Sequence, residues 1–256
     1  MIGDIFGHRS FVFANAWRET RTRYAGTAMG AFWHIVQPLF LILLFSVLFT
    51  GLFPSRPGSN AALHIMTGML PWVVFADCLV RCTTSLTDNA HYLRKLPLPE
   101  TLFVARTAVS AGLMMLLSLA LAAMAAVAFG ARPNWSWLTV PIAGLLMIGF
   151  AFGLGLILAP IHVLLRDTGQ AIGVFSQFWM WLTPVVLTPE VMPGALRAAQ
   201  PWNPAFWFVQ AIREPLVSGQ AAPIVTWIIM LSLVSATLLL GDRLIRRLRS
   251  DIRDLL

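Results

Sequence analysis

Few residues in this chain are equipped for chemistry. Cys78 and Cys82 stand four apart on one apolar segment, so one helical face would carry both thiols. A metal or redox site would need a third ligand nearby, and none stands at suitable spacing, so packing is the expected role. The five histidines, His8, His34, His64, His91 and His162, are scattered, and each reads as structural or interfacial. There is no HExxH, no glycine-rich phosphate loop with its Lys and Ser/Thr, and no grouping of nucleophile, base and orienting partner. The chain is therefore expected to be no enzyme, to bind no cofactor or metal, and to draw any energy for transport from elsewhere. Asp77 and Arg81, at i,i+4 within the same apolar segment, can pair on one face. Ionisable groups at such depth must pair, face a cavity or reach an interface.

The elements that position these residues follow from composition. The chain has 256 residues, 58% hydrophobic and only 11% charged, whereas a soluble domain carries about 25% charged residues. The apolar runs are long and continuous, which predicts membrane-spanning helices rather than the short alternating segments of a β-barrel. A net charge of +7 would suit nucleic acid, but the charges cluster at the ends of apolar runs, as cytoplasmic loops do. Six spans are predicted, over 32–53, 63–86, 102–128, 137–160, 169–187 and 222–241. The second holds Pro71. The fourth holds Gly149 and Gly153, a small-xxx-small pair that permits close helix packing. Residues 5–22 place Phe6, Phe13 and Trp17 at helical spacing among polar groups, as an amphipathic interface helix would. An ordinary cytosolic tail is the alternative. No cleaved signal peptide is expected, because the first 31 residues hold Arg9, Arg18, Arg21 and Arg23 and no compact apolar stretch.

Short-loop charge sets the orientation. Arginines precede the first span; Arg94 and Lys95 follow the second; Arg166 follows the fourth; Arg243, Arg246, Arg247, Arg249 and Arg253 fill the tail. The opposite loops hold Arg56, Arg132, Arg197 and Arg213. Both termini are thus expected in the cytoplasm. The connection 188–221 is proline-rich and aromatic, and 204–214 reads as a short helix opened by Pro204. It is too short to cross, so re-entrant or interface-lying helices are expected, with an extracellular lid as the alternative.

The stretch RYAGTAMGAFWHIVQPLF, 23–40, carries Arg23 and Tyr24, Gly26 and Gly30, Phe32 and Trp33, then Gln37 and Pro38. It closely resembles the signature of the ABC-2 type permeases that export polysaccharides and polyol-phosphate polymers (O-antigen, capsule and teichoic acid). HYLRKLPLPETLFVAR, 91–106, resembles that family's cytoplasmic segment between spans two and three. IHVLLRDTGQAIGVFSQFWMWLTPVVLTPEVMP, 161–193, resembles its Arg-Asp segment, here Arg166 and Asp167, with an exit at Thr183, Pro184 and Val185. PWNPAFWFVQAIREPLV, 201–217, resembles the Asn-Pro element of its gate helices. The resemblance covers most of the chain. Asp77 and Arg81 match no motif of the family.

The resemblance implies a homodimer with a polymer channel between two permeases in the cell inner membrane. It implies two separate ABC subunits that bind ATP and Mg, and outward movement of a lipid-linked glycan. Under it, 1–31 is the cytoplasmic interface helix, 32–241 the membrane domain and 242–256 a basic tail. Aromatic rings can stack on sugar faces, so channel or gate candidates are Trp33, His34, Gln37, Trp72, Phe75, Trp179, Trp181, Pro184, Trp202, Phe206 and Trp207. His34 and Gln37 face either a cavity or a neighbouring helix. Candidates for contact with the ATPase or the substrate headgroup are Arg9, Arg18, Arg21, Arg23, Tyr24, Arg94, Lys95, Arg166 and Asp167; anionic lipid is the other possible partner of Arg94 and Lys95. An ABC-2 permease for drugs or lipids, and a non-transporting membrane scaffold, are the rival expectations.

Overall fold

The computed structural model describes residues 7, 9–22, 36, 39–40, 43–44, 61–95, 98–187 and 192–255, and every regular element among them is helical. In chain order these are α1 (Arg9–Thr22), α2 (Ala61–Asp88), α3 (Ala90–Lys95), α4 (Thr101–Ala128), a 3-10 turn (Trp135–Leu138) and α5 (Thr139–Leu164). Then come α6 (Thr168–Leu182), α7 (Gly194–Ala199), a second 3-10 turn (Gln200–Trp202), α8 (Pro204–Val217), α9 (Ile224–Arg247) and α10 (Arg249–Leu255).

Among the described residues, four helices are long and apolar enough to cross a bilayer: Leu63–Asp88, Thr101–Ala128, Trp135–Leu164 and Ile224–Arg247. This corrects the expected six spans to four. The expected first span, 32–53, lies outside the described residues except for Val36, Leu39, Phe40, Leu43 and Leu44. The expected fifth, 169–187, is the 15-residue α6. At 1.5 Å per residue it is about 22 Å long, short of a bilayer core of about 30 Å. Pro184 is the physical cause. A proline disfavours helical backbone in the residue before it, and Thr183 is extended, with φ −100° and ψ 145°. Pro71 does the opposite: α2 runs through it without interruption.

α2 and α5 form the centre of the bundle, with α4, α8 and α9 packed around them. Small residues set the spacing. A Cβ at Gly153 would collide with the Thr237 side chain of α9, and one at Gly155 with the Cβ of Cys82 on α2. Gly149 lies against Val234 of α9. Cys82 therefore fills the α2–α5 seam, with its sulfur 3.8 Å from that of Cys78 and both thiols buried. α1 packs Val12 against Leu102 and Ala105 of α4 and buries Ala16, while Phe13 and Trp17 point away and are exposed.

Candidate functional site

Two clusters of polar side chains sit at opposite ends of this bundle. The first surrounds the break after α6. A helix that stops inside a membrane leaves carbonyls without partners, and those need donors from elsewhere in the protein. Four side chains serve the 182–185 segment. The Thr183 hydroxyl donates back to the Trp179 carbonyl at 2.8 Å. Gln200 donates from Nε2 to the Leu182 carbonyl at 2.9 Å. Asn203 donates from Nδ2 to Thr183 Oγ1 at 2.9 Å. Its Oδ1 accepts from Trp179 Nε1 at 2.8 Å and from the Ala205 backbone N–H at 3.1 Å, so it also caps α8. Arg213 of α8 donates to the carbonyls of Pro184 at 2.5 Å, Val185 at 3.1 Å and, across on α2, His64 at 3.3 Å.

Beside this break lies an aromatic cluster. Trp179 meets Trp72 at 5.8 Å and Phe75 at 5.7 Å edge-on, and Phe175 at 5.4 Å in a tilted contact, between ring centroids. Phe150 stacks on Phe208 of α8 at 5.2 Å, which seats the first half of α8 against the middle of α5. Trp72 and Phe75 are fully inside, and Trp179 is nearly so. An apolar cavity of about 620 Å³ opens next to them, between α5, α6 and the 196–204 turn, and its walls include Phe150, Phe175, Trp179, Trp202 and Asn203.

The second cluster lies at the other end and is ionic. Glu19 of α1 reaches Arg81 of α2 and Arg106 of α4, each at 3.0 Å. Arg81 also pairs with Asp77 at 2.8 Å, as the i,i+4 spacing predicts. Arg106 donates to Asn89 Oδ1 at 3.0 Å, and Asn89 donates to the Ser85 carbonyl at 2.7 Å. Glu100, buried at the start of α4, receives Arg249 at 3.2 Å and Arg253 at 2.8 Å from the tail. The tail is thus tied to the α3–α4 corner. A smaller cavity of about 380 Å³ at this end is lined by Asp88, His162, Arg166 and Leu255, among others. His162 accepts at Nδ1 from the Gly169 N–H at 3.2 Å, which fastens the α5–α6 turn.

Of the sequence candidates, the structure brings Trp72, Phe75 and Trp179 together in the aromatic cluster and puts Pro184 at the break. Trp181 is partly exposed and Trp202 is 89% exposed. Phe206 and Trp207 touch each other at 5.2 Å in the first turn of α8, and Trp207 Nε1 donates to the Pro201 carbonyl at 3.2 Å. Arg94, Lys95, Arg166 and Asp167 are exposed at the ionic end, and Arg9 and Arg18 are exposed on α1. Arg21 falls in the last turn of α1. Arg23, Tyr24, Trp33, His34 and Gln37 lie outside the described residues. Sequence reasoning missed Arg213, Gln200, Glu19 and Glu100, and knew Asn203 only through its Asn-Pro step. Arg213 counted as a loop charge, yet it lies within 204–214, which reads as a short and largely apolar helix, and a cation on such a helix was the available signal.

Among the described residues the protein is thus all-helical, with four helices able to span a membrane, a broken helix at one end and clustered arginines at the other. The family model of the ABC-2 type transporter matches residues 10–217, and the chain belongs to that family. It is similar to the O-antigen export system permease protein RfbA of Myxococcus xanthus, at 25% identity over 73% of this chain and 71% of that one. The protein of the same name from Klebsiella pneumoniae is 23% identical, over 79% and 78%. The capsule polysaccharide export inner-membrane protein BexB of Haemophilus influenzae is 28% identical, over 84% and 72%. The chain is thus a membrane-embedded permease related to polysaccharide export systems, and family membership implies a separate ATPase partner.

Proposed function

We propose that this chain is the permease subunit of an ABC exporter that moves a lipid-linked polysaccharide, an O-antigen, capsule or similar surface glycan, outward across the cytoplasmic membrane. The observation that carries this reading is the match, across most of both chains, to relatives named for O-antigen and capsule polysaccharide export. In the working transporter two copies form a conduit and two ATPase subunits power it. The ionic end, with both termini, faces the cytoplasm, because arginines gather there. Residues 1–31 form the interface segment, 32–241 the membrane domain and 242–256 the basic tail.

The segment around Pro184 and α8 then serves as a gate near the far side. Trp181 and Trp202 offer exposed rings to passing sugars, and Trp202 shares a cavity wall with Trp179 of the Trp72–Phe75–Trp179 cluster. Arg94, Lys95, Arg166 and the exposed arginines of α1 meet the ATPase or an acidic headgroup. A hydroxyl-rich polymer cannot dissolve in hydrocarbon and needs such a lined path. Deletion of the gene, followed by analysis of surface and intracellular glycan, tests the reading. Lipid-linked polymer should build up inside the cell. Normal surface glycan after deletion would overturn it and favour a drug or lipid substrate, or a scaffold.

A further inference from the structure

The Arg213 cluster is more than a local repair. Its guanidinium binds two pieces of chain at once: the 184–185 carbonyls after α6 and the His64 carbonyl in the first turn of α2. A planar fork with five donors can reach three carbonyls at once, which an ammonium on a flexible stem does far less well. Space for that fork is supplied by Gly68. A Cβ there would run into the Arg213 guanidinium and come within 2.9 Å of the Val185 carbonyl oxygen. Asn203 and Gln200 hold the other side of Pro184, at Leu182 and Thr183. The break is therefore gripped from both sides by side chains from the 200–213 stretch, and Arg213 carries that grip across to α2, where the His64 imidazole also meets the backbone of Pro184 and Leu187.

We propose that Arg213 is the positioning residue that keeps the 183–187 segment closed against α2, with Gly68 as the seat that admits its guanidinium. Opening at this place requires the guanidinium to release the His64 carbonyl while it keeps those of Pro184 and Val185, so α8 and the segment after α6 move together away from α2. The proposal rests on the reading of this chain as a permease with its gate here, and it names the contact that sets the closed state.

The test uses the full-length permease with its ATPase partner in liposomes loaded with carboxyfluorescein, without ATP and without glycan. Wild-type vesicles should retain the dye. Arg213→Met and Gly68→Ala should each leak several-fold faster, and Arg213→Lys should fall between. The double variant should leak no faster than the worse single one, because both changes break the same contact. Tight vesicles for Arg213→Met at equal reconstituted protein would overturn the proposal, even with a lowered unfolding midpoint, since a residue that only packs would lower the midpoint alone. Independent, multiplying leaks in the double variant would also overturn it. If Arg213→Met does not fold, Gly68→Ala and Arg213→Lys decide the matter, and tight vesicles for both would count against it. Because no substrate enters the assay, its failure is separate from that of the glycan reading, which the deletion experiment tests alone.

Discussion

The two ends of the bundle are held by different chemistry. At the ionic end, side chains pair with side chains: Glu19 with Arg81 and Arg106, Glu100 with Arg249 and Arg253. At the broken end, side chains pair mostly with backbone: Arg213 and Gln200 donate to carbonyls, and Asn203 caps α8 while holding Trp179. The difference follows from what each place lacks. The ionic end brings together separate elements, α1, α2, α4 and the tail, and charge pairs cross-link them. The broken end has interrupted helices, and its orphan carbonyls must find donors where water is scarce. One end is therefore adjustable by salt and charge, while the other demands particular donors in particular positions.

Substitutions can break or sharpen this contrast. The largest effect in it should come from Asn203→Leu, which strips the acceptor from Trp179 and uncaps α8. A loss of about 2–3 kcal/mol is expected, read as a lowered unfolding midpoint in detergent that added salt leaves unchanged. Glu100→Gln comes next. It removes the buried carboxylate shared by two arginines, at a cost of about 1–2 kcal/mol, and should release the tail to limited proteolysis near Arg249. Glu19→Gln should cost about 1 kcal/mol, because these pairs are partly open to solvent. Its signature is salt dependence: wild type and variant should converge as ionic strength rises. Arg246→Ala should be smallest, under about 0.5 kcal/mol, since its pair with Asp242 is an exposed i,i+4 contact. If Asn203→Leu proved as salt-sensitive as Glu19→Gln, the proposed division between the ends would fail.

Some of this could be seen in advance. The second, third, fourth and last apolar runs became α2, α4, α5 and α9, because a predominantly apolar segment of about twenty residues leaves little but a spanning helix. The Asp77–Arg81 pair followed from spacing on one helix. The shortening of α6 was harder to see. Its apolar run continues past Pro184, and composition cannot tell a proline that a helix absorbs, as α2 absorbs Pro71, from one that ends it. Glu19 and Glu100 escaped notice because their partners stand tens to more than a hundred residues away, and no periodicity links α1 to Arg106 or the tail to the α3–α4 corner.

The sequence by itself determined the solvent this protein lives in, the helical class, most of the spanning segments and, through ordered motifs, the family. Those properties depend on local composition and on short spacing, which a linear chain displays directly. Only the tertiary structure decided that Trp72, Phe75 and Trp179 form one packed cluster, that Arg213 faces inward, and that Gly68 makes room for it. Those outcomes depend on which carbonyls are left orphaned when α6 stops, and on which side chains from distant helices come close enough to satisfy them.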